Sequence, residues 1–141
     1  MANYYGMCRT NYFPVTDVDK FKDIMSKLSG EGEIEFYEHD EDKGKFMFYC
    51  DCNLTGYITD PDDDDAYDDA LDKMFEELQG ILPDGEAIIL TEVGNEKMRY
   101  LLGIATIITN KEVCSVNLAD AAIYKAREVL GNSEYCTQMD Y

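Results

Sequence analysis

Apolar and polar positions along the 141-residue chain fall into stretches of two different periods. From Tyr4 to Val15 the chain is dense in aromatic and β-branched residues and halts around Pro14, which predicts a strand. Thr16 with Asp19 three residues on is a variant of the capping box. Val18, Phe21, Ile24, Met25 and Leu28 follow at helical spacing, so a helix is expected from Asp17 to about Ser29. The stretch GEIEFYEHDEDKGKFMFYCDCNLTGYI alternates around Ile34 and Phe36, breaks at Asp40 to Gly44 and resumes at Phe46, Phe48 and Cys50. That is the pattern of a hairpin with a charged turn.

Further on, Tyr67, Leu71, Met74, Phe75, Leu78 and Leu82 recur at steps of three and four, predicting a second helix from near Asp63 to just before Pro83. EAIILTEV and RYLLGIATII are two apolar strands joined by the polar turn GNEKM. The second is so uniformly apolar that cover on both faces is expected. Asn117 is placed to cap a third helix with Ala119, Ala122, Ile123, Ala126, Val129 and Leu130 on its apolar face and Gly131 as its stop. The tail, residues 132–141, reads as frayed or draped on the surface. The order β-α-β-β-α-β followed by β-α predicts an α+β fold. Its core would be a ferredoxin-like βαββαβ antiparallel sheet, with an added C-terminal strand and helix. The length suits one domain over residues 1–141.

Charge changes this picture more than composition does. Hydrophobic residues at 45% and aromatics at 12% suit a folded body, yet 30 Asp and Glu stand against 12 Lys and Arg, a formal net charge of -18. A small domain needs only about 2 to 8 net charges for solubility. Such a surface repels nucleic acid and membrane headgroups and attracts basic proteins, polyvalent cations and grooves built for nucleic acid. Nine lysines and five cysteines argue for an ordinary cytoplasm rather than a halophilic one. The segment MANYYGMCRTNYF has neither a basic nor an apolar leader region, and the longest apolar run, Tyr100 to Ile108, is far short of the roughly 20 residues that span a bilayer. A soluble, cytoplasmic protein is therefore expected. The scattered cysteines, odd in number, fit reduced thiols.

The acidity peaks at residues 60–72, DPDDDDAYDDALD, with eight aspartates in thirteen positions. Asp60, Asp62 and Asp64 occupy the first three ligand positions of a calcium loop, but the required Gly is Asp65 and the closing Glu is Leu71, so no dedicated calcium site is expected. Capping of a helix accounts for Asp62 or Asp63 alone, because each such charge contributes only about 0.3–1 kcal/mol and like charges four apart repel. Imitation of a nucleic-acid backbone accounts for more. From Asp62 to Glu77 stand nine carboxylates (Asp62, Asp63, Asp64, Asp65, Asp68, Asp69, Asp72, Glu76, Glu77) and one lysine, Lys73. On a helix of about 1.5 Å rise this is about one charge per 3 Å, near the about 3.4 Å of a single DNA strand. A solvated face with no partner is the plainer alternative.

Enzyme chemistry finds little support. The single histidine, His39, falls in the charged turn EHDEDKG, where a solvated surface role is expected. Cys50-Asp-Cys52 places two thiols on one face of a strand about 7 Å apart, without a second ligand pair. Phosphate loops, nucleophile elbows and two-histidine metal motifs do not occur in the sequence. A base-stacking role for Tyr4, Tyr5, Tyr12, Phe13, Phe36, Tyr37, Phe46, Phe48 and Tyr49 would need basic neighbours that the chain lacks. Core packing is expected for them, with surplus tyrosines free to serve an interface.

The opening MANYYGMCRTNYFPVTDVDKF and the strand pair EAIILTEVGNEKMRYLLGIA, with the acidic single-domain character, resemble small anti-CRISPR and antirestriction proteins of phages and mobile elements. The resemblance transfers no functional residue. It implies a non-enzymatic inhibitor that occupies the nucleic-acid channel of a host defence nuclease, a CRISPR effector above others. The residues expected to meet the basic cleft are Asp62, Asp63, Asp64, Asp65, Asp68, Asp69, Asp72, Glu76 and Glu77, with Tyr67 as a desolvated anchor and Glu38, Asp40, Glu41 and Asp42 as a second patch. No cofactor, metal or direct nucleic-acid contact is expected. The rival expectation is a ferredoxin-like small-molecule or cation-binding domain whose acidic surface is merely solvated.

Overall fold

The computed structural model describes residues 4–60, 62–63, 67–68, 71–96 and 100–138. Asp64, Asp65 and Asp69, named above as candidate contacts, lie outside them. The strands are β1 (Tyr4–Thr10), β2 (Phe13–Pro14), β3 (Leu28–Gly30), β4 (Ile34–Glu38), β5 (Lys45–Cys50), β6 (Leu54–Ile58), β7 (Tyr67–Asp68), β8 (Ile88–Glu96), β9 (Tyr100–Ile108) and β10 (Val113–Asn117). The helices are α1 (Val18–Ser26), α2 (Asp72–Gln79) and α3 (Leu118–Leu130). This is a mixed α+β protein with antiparallel sheets.

The larger sheet runs β10-β9-β8-β1-β5, with β4 on the outer side of β5 and β2 pairing the start of β5. β1 and β2 are one strand with an irregularity. Arg9 faces Tyr49 and Phe13 faces Phe46, so one extra residue sits on the N-terminal strand. A bulge of this kind bends the strand, and the Thr10 hydroxyl fills the gap by accepting the Phe48 N–H at 3.1 Å. The smaller sheet, β3-β6-β7, was not foreseen, and neither was β10.

The core lies between the larger sheet and helices α1 and α2. Alternation sends Cys8, Thr10, Phe46, Phe48, Cys50, Ile88, Leu90 and Ile108 inward, where they meet Phe21, Ile24 and Met25 of α1 and Met74 and Leu78 of α2. Phe13, Phe21 and Phe46 pack ring against ring, with Phe21 and Phe46 centroids 4.8 Å apart. Edge-to-face and tilted aromatic packing of this sort adds to area burial. Leu28, Leu54 and Tyr57 of the smaller sheet close one end of the same core.

Several expectations are corrected. The α1 cap is Asp17, whose carboxylate accepts the Lys20 N–H at 3.0 Å, rather than Thr16. The second helix does not begin near Asp63. It covers only Asp72–Gln79, entered through Leu71 at a left-handed φ of 65° with no side-chain cap, while Tyr67 and Asp68 are strand residues paired with Ile58 and Tyr57. Consecutive aspartates are poor helix formers and repel one another at i,i+4, so extended pairing with β6 prevails over helical period. The apolar face expected on α3 has no buried member: Ala119, Ile123 and Ala126 are half-covered, and Ala122, Val129 and Leu130 are exposed. Nor is β9 covered on both sides, since Leu101 is 72% exposed.

Candidate functional site

The acidic segment leaves β6 through a tight turn in which Asp60 accepts from its successors: its carboxylate takes the Asp62 N–H at 3.0 Å and its carbonyl the Asp63 N–H at 3.1 Å. Asp62 and Asp63 are both exposed. The chain then passes through β7, where Tyr67 and Asp68 are held by pairing to β6, and arrives at α2.

Only Asp72, Glu76 and Glu77 of the nine carboxylates stand on α2; Asp62, Asp63 and Asp68 lie outside it and do not form a ladder at helical rise with them. The three have different roles. Asp72 is exposed in the first turn, where a carboxylate interacts well with the helix N-terminus. Glu76 is exposed and lies 3.6 Å from Lys73, one turn back. Glu77 turns inward: its carboxylate accepts the Tyr57 hydroxyl at 3.0 Å and sits 3.0 Å from Lys20 Nζ. Burial would raise its carboxyl, but the bonds from Lys20 and Tyr57 and the charges of Lys20 and Lys27 outweigh burial and hold it below the ordinary carboxylate range. Its partner Tyr57 is pushed up, by burial first and then by the bond to Glu77.

The second acidic patch is the β4–β5 turn. Glu38, Asp40, Glu41 and Asp42 are all exposed. Glu38 accepts the Gly44 N–H at 2.9 Å, and Asp42 pairs with Lys45 at 2.9 Å. His39, expected to be merely solvated, organises this turn: its Nδ1 accepts the N–H groups of Glu41 and Asp42 at 3.2 and 3.0 Å, and its ring meets Tyr12 edge-on at 4.8 Å. Asp40 and Glu41 are thereby held pointing into solvent around a fixed imidazole.

Among the described residues no group of three or more His, Cys, Asp or Glu side chains is arranged to hold a metal ion. Cys50 and Cys52 are not on one strand face, because β5 ends at Cys50. Cys50 is buried, while Cys52 lies in the following turn against Glu31 at 3.2 Å. Cys8, register partner of Cys50, is buried and has its thiol pushed up to about 12, chiefly by burial. Among the described residues no helix is long and apolar enough to cross a membrane.

One surface escaped the reading of the sequence: the face of the larger sheet turned away from α1 and α2. Tyr5, Met7 and Arg9 of β1, Ile89 and Val93 of β8 and Leu101 of β9 all project from it and are exposed. Tyr37 and Tyr49 stack there at 6.1 Å and both donate to Glu35. The signal was present in IILTEV and YLLGIAT, which are apolar at odd and even positions alike, but uniform hydrophobicity cannot say whether the second cover comes from the same chain.

No family model, curated protein or solved structure significantly matches this chain.

Proposed function

We propose that this chain is a non-enzymatic, acidic inhibitor that occupies the basic nucleic-acid cleft of a defence nuclease of the host cytoplasm, a CRISPR effector first among them, and excludes its DNA or RNA. The carrying observation is a formal charge of -18 on a folded body, with Asp62, Asp63, Asp72 and Glu76 exposed along one acidic segment and Asp40 and Glu41 in the β4–β5 turn. A cleft of Lys and Arg gains counterion release on binding nucleic acid, and a carboxylate-dense surface gives it the same gain. The strand order β8-β1-β5-β4, antiparallel throughout, with α1 after β1 and α2 after β5, supports a ferredoxin-like core on which β9, β10 and α3 are additions.

Reversal of Asp64, Asp65, Asp68 and Asp69 to Lys tests the reading. The expected outcome is a rise of about 100-fold or more in the inhibition constant against the target nuclease, with an unchanged circular-dichroism spectrum. Full inhibition by the reversed protein would rule this segment out as the docking surface. A saturable calcium isotherm without any nuclease binding would favour a cation-binding domain instead.

A further inference from the structure

The outward sheet face and α3 each lack what the other could supply. Val93 is 49% exposed and Leu101 72% on this face, and Leu118, the first residue of α3, reaches it yet stays 66% exposed. α3 has no buried residue in its 13 positions, and its Tyr124, Val129 and Leu130 are exposed. A helix of that length standing alone is marginal in water. α3 follows β10 with no intervening residue, and its first residue, Leu118, is seated on this face so close over Gly103 that an added Cβ would come within 2.9 Å of it. The start of α3 is therefore fixed at the β9–β10 margin of the face, while Tyr124, Val129 and Leu130 farther along the helix stay exposed.

Size and charge identify the missing partner. Six strands about 4.8 Å apart make the face about 24 Å wide, and strands of 5 to 9 residues make it about 24 Å long on average. That is roughly 600 Å², to which the stripe of α3 adds, near the about 800 Å² per partner of a stable interface. A helix of 13 residues is about 20 Å long and so reaches across about four of those strands. The charged strand residues on this face are Arg9, Glu35 and Lys45 among the described ones. Glu35 is bonded to two tyrosines and Lys45 to Asp42. In a chain with 30 acidic residues this face is close to neutral. A basic partner is matched by the acidic surfaces elsewhere; the surface matched to this one is apolar and near neutral, which describes the face itself and α3, where Asp120 and Glu128 are balanced by Lys125 and Arg127.

We infer that the protein is a two-fold homodimer in which the outward faces of the two sheets oppose each other and α3 of each protomer packs against the sheet of its partner. The contact is isologous: the same face gives and receives, so it closes at two copies. Two sheets with helices between them leave α2, with Asp72 and Glu76, on the outside of the dimer.

Sedimentation equilibrium of the full chain over about 1–100 μM tests this. The expected mass is that of two 16.1 kDa chains. Val93→Asp, Leu101→Asp and Tyr124→Asp each place a charge at an exposed position, which spares the fold, and each is expected to raise the dimer Kd by about tenfold or more. A chain that is monomeric throughout overturns the inference, whether its face then takes a different protein or a single-stranded nucleic acid. So does a dimer that all three variants leave intact, or an assembly that grows beyond two copies.

Discussion

Glu77 stands at the end of the acidic stretch, yet its carboxylate belongs to the interior, bound to Tyr57 and Lys20. It joins α2 to α1 and to the smaller sheet, and only 14% of its side chain is exposed. Hydrogen bonds to a charged group contribute about 1.5–3 kcal/mol, so Glu77→Gln should lower the unfolding free energy at pH 7 by about that amount in urea titration. The pH dependence follows from the depressed carboxyl. The stabilisation is complete above the unfolded value near 4.5 and is lost as pH falls through the lower folded value. Wild type and variant should therefore converge in stability as the pH approaches the bottom of that window. A constant gap down to pH 2 would mean that the residue acts by shape alone. Sequence spacing could not separate Glu77 from Glu76, because adjacent residues on a helix differ by about 100° and only the packed structure says which one faces Tyr57.

Elements differ in how much of themselves they declare. α1 was legible because its apolar spacing and its cap are local; Asp17 and Thr16 are close rivals for the cap and only the geometry chooses. α3 declared its ends, Asn117 and Gly131, since both are chemical requirements: an oxygen that accepts the Ala119 and Asp120 N–H groups, and a residue at ease with a φ of 66°. It did not declare its surroundings. The start of α2 was misplaced because periodic apolar residues such as Tyr67 and Leu71 occur in an aspartate-rich stretch whose own propensity opposes a helix. Since α3 is not fastened to the core by any buried side chain, its cap carries more of its stability than a cap ordinarily does. Asn117→Ala should cost the helix about 1 kcal/mol. Hydrogen exchange of the Ala121–Lys125 amides should then be about fivefold faster, while the amides of β5 and β8 keep their protection. Equal acceleration in both places would show that α3 unfolds only with the whole chain.

At the scale of the whole molecule, charge and apolar surface are segregated: carboxylates cluster at residues 60–77 and at the β4–β5 turn, and the outward sheet face is nearly free of them. This segregation makes the two proposed contacts answer salt in opposite ways. Binding to a basic cleft weakens as salt rises, because less is gained from counterion release. Association of two chains that each carry -18 strengthens, because their mutual repulsion is screened over a Debye length of about 10 Å at 0.1 M. Raising NaCl from about 0.05 to 0.5 M should thus release a target nuclease while lowering the dimer Kd, measured on the same preparation. Parallel loss of both would show that the dimer too is held by ion pairs. The sheet also carries a consequence for synthesis. β1, near its centre, pairs residue by residue with β8, Tyr4 facing Glu96 and Thr10 facing Leu90. A ribosome adding about 5–20 residues per second leaves that edge of β1 bare for about 4–17 s, and a transcript cut short before residue 88 leaves it bare for good. Truncated products of this gene would then be recovered as aggregates rather than as shortened soluble domains, since a bare strand edge templates pairing with other chains.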